Sequence, residues 1–302
     1  GRGSRLPRMT SGRERIGREQ RAAVGLRSAL VAAAVLMLSA GTAAADVRFG
    51  AITWDGDYGG ILDTRIEQYP FVWQIAGRSS RLGFAASYVR IDETGNVTLT
   101  PDGPIVLGAG GPGAPPWQTA APGSSGSGTG DLVLSNETYL VRAGKGKRPF
   151  VSLLLDVKIP TADQEEGLGT GERDYGAGFV YVQPLGKYWQ LLGDAGYRWM
   201  GDPEGVDFKN RIRGSLGLAL IHNRKLWRLL VENVTPVLDE VPLYNTSGVP
   251  VGLFEVEDRR ALRFDLTFVS GRGGTTRLGV TSGLTDGAED VGFVLEFATG
   301  GR

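Results

Sequence analysis

The sequence predicts an all-β protein: a twelve-stranded antiparallel transmembrane β-barrel of the up-and-down type, preceded by a cleaved signal peptide. Three observations carry this. Apolar residues recur with a period of two along most of the chain beyond residue 46, and no stretch there gives a helical stripe. Short turns and long loops interleave strictly between those stretches. The first 45 residues have the three-part layout of an export signal.

The N-terminal segment comes first. Eight arginines (Arg2, Arg5, Arg8, Arg13, Arg15, Arg18, Arg21 and Arg27) stand there against Glu14 and Glu19, and Met9 among them is a candidate start. An apolar run, ALVAAAVLML at 29–38, follows, then Ala43-Ala44-Ala45 before Asp46. Ten apolar residues are too few to cross a bilayer, which takes about 20 in a helix. The expected organisation is therefore a signal peptide with an upstream extension at 1–45, a barrel at 46–297 with a long external loop at 92–130, and a short tail at 298–302.

Export changes the charge. Taking the eight arginines and two glutamates of 1–45 from the chain's 33 basic and 33 acidic residues leaves 25 and 31, a net of −6. A basic nucleic-acid footprint is absent, so no nucleic acid is expected as partner. With no Cys in the chain there is no disulfide, thiol nucleophile or Cys-based metal site. The single histidine, His222, excludes any mechanism needing two.

The strands are expected at roughly 47–55, 64–76, 81–91, 130–142, 149–158, 175–185, 188–199, 210–221, 226–236, 259–269, 275–284 and 291–297, with bounds uncertain by about 2–4 residues. VGFVLEF at 291–297 places Val291, Phe293, Leu295 and Phe297 on one face. ALRFDLTFV at 261–269 sets Leu262, Phe264, Leu266 and Phe268 against Arg263, Asp265 and Thr267. WQLLGDAGYRWM and RIRGSLGLAL, at 189–200 and 211–220, alternate in the same way. Five short turns, at 77–81, 144–148, 185–187, 222–225 and 270–274, interleave with six longer loops at 55–63, 92–130, 159–174, 201–209, 237–258 and 285–290. Eleven connections join twelve strands, and both termini fall on the short-turn, periplasmic side.

A soluble β-sandwich also alternates. Its strands average about 5–6 residues, whereas these run near the 9–11 that span a bilayer. Aromatic residues near strand ends (Trp73, Tyr88, Tyr139, Trp189, Trp199, Trp227 and Phe297) suit interfacial girdles. Outer-membrane lipid and the barrel-assembly machinery are the partners this fold implies. The terminal-aromatic pattern of VGFVLEF fits that machinery, although ATGGR follows it.

Two loops draw attention. PDGPIVLGAGGPGAPPWQTAAPGSSGSGTG, at 101–130, is a Pro/Gly/Ser tract whose composition favours a disordered outer loop. The alternative is a constriction folded into the pore, with PIVLGA dipping inward. KIPTADQEEGLGTGERDYG, at 158–176, lacks the phosphate-loop spacing and precedes a strand rather than a helix. It reads as an external hairpin, with Pro160 ending one strand and glycines permitting positive φ. Its acids Asp163, Glu165 and Glu166 lack calcium-loop spacing and read as a solvated run.

With the Leu/Phe/Trp faces toward lipid, the opposite faces line the lumen. They carry the basic residues Lys158, Arg198, Arg211, Arg213, Arg228, Arg263 and Arg277. They also carry the acidic residues Asp156, Asp194, Glu232, Asp265 and Glu296. Arg or Lys facing lipid at mid-bilayer costs about 2–4 kcal/mol, which drives these groups inward. Such a set serves either as an ion-pair network that stiffens the barrel or as a polar pore lining. No catalytic residue, metal ligand or cofactor motif emerges. His222 belongs to a periplasmic turn, far from where a rim-sited hydrolase would need it.

These residues also resemble a known family, the outer-membrane transporters described as the MetA pathway of phenol degradation. Lys158, Pro160 and Thr161, then Gly169, Gly171, Asp174 and Tyr175, then Gly196, Tyr197, Gly201 and Asp202 match its pattern, with Ala162 where the family has Gly. The resemblance covers about 130–297 well and the first third loosely. It implies passage of small organic solutes, aromatic compounds among them, and no catalytic residues. The expected function is a passive outer-membrane channel. The alternative is a structural or adhesive surface barrel with its lumen plugged by ion pairs, since a fold does not settle a function.

Overall fold

The computed structural model describes residues 44–58, 63–92, 97–107, 125–142, 148–164, 166–244, 250–271 and 273–299. The predicted signal peptide lies outside them except for Ala44 and Ala45, which already pair with the second strand. Most of the short turn at 144–148, Glu165 and the last three residues of the predicted tail also lie outside them.

Seventeen strands appear among the described residues. Twelve of them close into one antiparallel barrel. These are β1 (Ala44–Gly56), β2 (Thr64–Ala76), β3 (Ser80–Asp92), β7 (Leu132–Val141), β8 (Phe150–Ile159) and β9 (Asp174–Pro184). The circuit continues through β10 (Trp189–Trp199), β11 (Arg211–His222), β12 (Lys225–Val234), β15 (Arg259–Val269), β16 (Thr275–Gly283) and β17 (Val291–Ala298). Each pairs with its neighbour in the chain, and β1 closes the ring on β17 from Arg48↔Ala298 to Asp55↔Val291. Closure leaves no unpaired edge in the bilayer.

Parity is kept around the ring. Arg228 opposes Asp265, which opposes Gly279, then Val294, then Ile52. One residue along, Trp227, Leu266, Leu278 and Leu295 are opposed on the other face. That second face is the one left exposed: Leu216, Phe179, Phe293 and Ile212 are all more than half exposed. An apolar exposure of this extent marks a lipid-facing surface. Trp189, Trp199, Tyr88 and Phe297 lie exposed near the strand ends, and Phe297 stacks on Phe49 at 5.6 Å. Tyr139 departs from the expected girdle. A bulge follows it in β7, and its register partner is Ser152, on the inward face.

The turns explain themselves locally. β11 and β12 are joined by Asn223 and Arg224, both with positive φ (48° and 61°), the geometry that suits a two-residue hairpin. β7 is extended upward by β6 (Gly126–Thr129), which pairs with the top of β3; the break between them falls at Gly130 and Asp131. The predicted loop at 237–258 holds a hairpin of its own, β13 (Glu240–Tyr244) with β14 (Pro250–Glu255).

The largest departure from the sequence reading is in the Pro/Gly/Ser tract. Residues 101–107 of the tract, with 97–100 just ahead of it, are not a disordered outer loop; the inward alternative holds for Ile105, Val106 and Leu107, which are buried. They form β4 (Val97–Thr100) and β5 (Gly103–Val106), paired with each other, and nearly every residue in them is buried. Residues 108–124 of the tract lie outside the described residues. The reason for the departure is that Val97, Leu99, Ile105 and Val106 meet apolar partners far away in the chain, which local composition does not reveal.

Candidate functional site

The site is the lumen with the β4–β5 hairpin wedged into its external mouth. The hairpin turns at Thr100-Pro101-Asp102-Gly103, with Gly103 at φ 104°, a conformation that side-chain-bearing residues rarely adopt. Val97, Leu99 and Val106 pack with Ile66, Val89, Ile91, Leu168 and Tyr58. Ile105 and Leu107 pack with Met200, Phe208 and Val237. The hairpin thus draws apolar cover from β2, β3 and four external loops. Thr98 Oγ1 donates to the Gly167 carbonyl at 2.6 Å, and Arg211 donates to Thr100 Oγ1 at 2.8 Å.

At the tip, Asp102 meets the arginine wall. Arg198 donates to both of its carboxylate oxygens, one of them from Nη2 at 3.1 Å. The same guanidinium donates to Asp156 at 2.9 and 3.1 Å, so it bridges two carboxylates. Arg213 Nε lies 3.4 Å from Asp102 Oδ1. Burial alone would raise the Asp102 carboxyl. The hydrogen bonds and charge of Arg198, with Arg213 and Arg211 behind it, outweigh burial and hold the group below its ordinary value. Gly176 makes this layer possible, because a Cβ there would sit 2.3 Å from Asp156 Oδ2.

A second charged layer lies lower, on β12, β15, β16 and β17. Asp265, with no exposed surface, takes Arg228 at 3.2 Å, Arg263 at 3.0 Å and Arg277 at 3.1 Å. Arg263 also reaches Glu232 at 2.5 Å, and Arg277 approaches Glu296 at 3.8 Å. Near the rim, Arg259 grips Glu289 with two hydrogen bonds at 2.8 and 2.6 Å.

Strand register places all twelve charged residues predicted for the lumen on the inward face. The structure gathers ten of them in two clusters and leaves two apart. Asp156, Arg198 and Arg213 surround Asp102, with Arg211 beside them on Thr100. Arg228, Glu232, Arg263, Asp265, Arg277 and Glu296 form the lower layer. Lys158 sits in the rim, and Asp194 accepts a hydrogen bond from Ser215. Sequence reasoning missed Asp102. A signal was present: VTLTPDGPIV carries a Pro-Asp-Gly turn between two apolar strands, a local hairpin pattern with a mechanism. Arg259 and Glu289 had no comparable signal, since one ends a strand and the other lies in a loop.

The stretch 158–176 is a rim clamp. Lys158 Nζ donates to Thr170 at 2.6 Å and lies 2.9 Å from Asp174 and 3.3 Å from Asp131. Thr161 accepts from Leu132 N and donates to the Gly130 carbonyl. Asp174 also accepts from Gly201 N at 3.1 Å, and Asp202 from Phe208 N at 2.8 Å. Gly167 and Gly171 take positive φ, as expected of this hairpin. His222 lies at the opposite, periplasmic end, edge-on to Tyr188 at 5.8 Å.

Below the hairpin the lumen opens. A cavity of about 490 Å³ is roofed by Pro101, Asp102 and Gly103 and walled by residues of β1, β9–β12 and β15–β17. A second, of about 460 Å³, opens toward the periplasmic end past Arg48, Arg81 and Thr275. Arg228 and Arg277 belong to the walls of both.

Residues 43–233, more than half of the chain, match the family described as "Putative MetA-pathway of phenol degradation". The chain belongs to that family. Among solved structures it is similar to the COG4313 outer membrane channel from Pseudomonas putida F1, with a TM-score of 0.60 at 12% identity over 85% of this chain and 94% of that one. The NanC porin follows, with a TM-score of 0.43 at 9% identity over 86% and 100% of the two chains. The transport unit of the autotransporter AIDA-I from Escherichia coli scores 0.46 at 10% identity over 86% and 90%. Comparison with curated protein sequences finds no match. The family member described here is a closed twelve-stranded barrel of the bacterial outer membrane.

Proposed function

We propose that this family member is a passive outer-membrane channel for small organic solutes, with the β4–β5 hairpin as its constriction. The observation that carries the reading is the pair of cavities stacked below the hairpin, with Arg228 and Arg277 in the walls of both. A lumen filled by its own side chains would not leave that space, and twelve strands enclose more than the eight that side chains fill. The solved COG4313 protein of the same fold is an outer membrane channel, and the family description points to aromatic compounds. The inward charges, Asp156 and Asp194 among them, are then walls of the path or of the latch that narrows it. No catalytic role is part of this reading. Insertion by the barrel-assembly machinery, with Phe297 as terminal aromatic, belongs to the same proposal.

Single-channel conductance of the purified barrel in a planar bilayer tests it. The expected result is a small, steady conductance that Arg263→Ala changes, because Arg263 lines the upper cavity. A folded barrel that stays silent, with and without the substitution, would favour a plugged structural barrel.

A further inference from the structure

We infer that Asp102 holds the place of a solute carboxylate, and that the channel's solutes are small organic carboxylates, aromatic ones included, which bind Arg213 and Arg198 in exchange for it. The inference rests on the channel reading and specifies its solute class.

Asp102 is the only charged residue of the hairpin. A turn presents it, not a barrel strand, so it can leave the arginines without disturbing the ring. Its partners are fixed on β10 and β11. The contact is therefore between a removable carboxylate and a permanent guanidinium pair.

The cavity under the tip has the matching character. Arg213, Arg228, Arg259, Arg263 and Arg277 line it, against Asp102, Asp194 and Glu232. Asp265, which neutralises three of those arginines, has no exposed surface and does not line the cavity. An entering solute therefore meets guanidinium edges first. Flanking the arginine strands on either side are apolar residues, Ile52 and Trp54 of β1 and Val180 and Leu192 of β9 and β10. Guanidinium forks match planar carboxylates in geometry, and Arg holds its charge under all ordinary conditions. About 490 Å³ suits a small organic molecule. Guanidinium edges for a carboxylate and flanking apolar side chains for a ring describe an amphipathic monoanion. Exchange also balances: one carboxylate leaves the arginines as another arrives, so no buried guanidinium is stranded during passage.

The test is carried out on the full barrel in a planar bilayer, with potassium chloride as the current carrier. Sodium benzoate is the probe, and benzamide, of nearly the same shape without the charge, is the control. Benzoate is expected to reduce the chloride current in a saturable way, and benzamide is expected to leave it unchanged. Asp102→Asn should lower the half-blocking benzoate concentration about ten-fold, because the competitor is gone. Arg213→Gln should raise it by a similar factor. Arg277→Gln, on β16, gives a second variant should Arg213→Gln assemble poorly, with the same direction expected. Equal effects of benzoate and benzamide would overturn the inference and leave the channel standing, as would a steady current on which neither acts. No current in either the parent or the Asp102→Asn barrel would remove the channel reading and this inference together.

Discussion

A single introduced cysteine reports how firmly the hairpin closes the mouth. The chain has no cysteine of its own, so Leu99→Cys gives one thiol, at a position only 7% exposed. Maleimide labelling of that thiol requires the hairpin to lift. Into this background goes Asp102→Asn. The substitution removes the carboxylate that accepts two hydrogen bonds from Arg198 and faces Arg213. Leaving a buried charge with no partner costs about 3–5 kcal/mol. Arg198 keeps Asp156 at 2.9 and 3.1 Å. The loss should therefore be nearer 2–4 kcal/mol, at about 1.5–3 kcal/mol per charge-assisted hydrogen bond less what the amide retains. Burial holds the other way. Val97, Leu99, Ile105, Val106 and Leu107 are all buried, and each such side chain contributes about 1.5–3 kcal/mol. The hairpin should accordingly stay docked, while its open population rises about 30- to 900-fold at 1.36 kcal/mol per decade. Labelling in native vesicles should speed up by that factor. A rate within about three-fold of the Leu99→Cys parent would refute the latch. So would immediate labelling of the parent.

Three further outcomes follow from the same geometry. Because Asp102 is held below its ordinary value of 3.8, its contribution to docking is fully present above that pH and is lost as pH falls through the depressed value. Labelling of Leu99→Cys, divided by the rate of a free thiol at the same pH because the thiolate is the reacting form, should therefore be flat from neutral pH to near 3.8 and climb below it, and the Asp102→Asn barrel should show no such climb. Lys158→Met should lower stability by about 3–5 kcal/mol, read as an earlier heat-modifiable transition on electrophoresis, since Asp131 and Asp174 lose their buried counter-ion; a loss under about 1 kcal/mol would contradict the rim clamp. Leu216→Arg, on the lipid face at 63% exposure, should cost about 2–4 kcal/mol in urea-dependent insertion into vesicles if this face meets the bilayer core.

Much of the barrel was legible because its physics is local. Alternation such as Leu262-Arg263-Phe264-Asp265 states which residues face lipid and which face inward, and one shift of register would turn every side chain over. The twelve charged residues predicted for the lumen follow directly from that parity. How they group does not. Arg198 finds Asp156 across β8–β10, and Arg277 finds Asp265 across β15–β16, because strand neighbours and diagonals in a closed ring bring them together. The aromatic girdle was read well at Trp189, Trp199 and Phe297 and failed at Tyr139, which shares the inward parity of Ser135 and Glu137.

The amino-acid order alone thus determined the fold class, the twelve barrel strands, the facing of nearly every residue in them and the family resemblance at 158–176 and 193–203, since each depends on a period of two, on turn chemistry or on a short motif. Tertiary structure alone decided that the hairpin at 97–106 closes the mouth from within and that Asp102 becomes part of the site. Its Pro-Asp-Gly turn specifies a hairpin but not where that hairpin goes. The position depends on apolar partners such as Ile66 and Met200, and on Arg198, 96 residues away. A segment this short buries itself only where a closed ring has already gathered those surfaces.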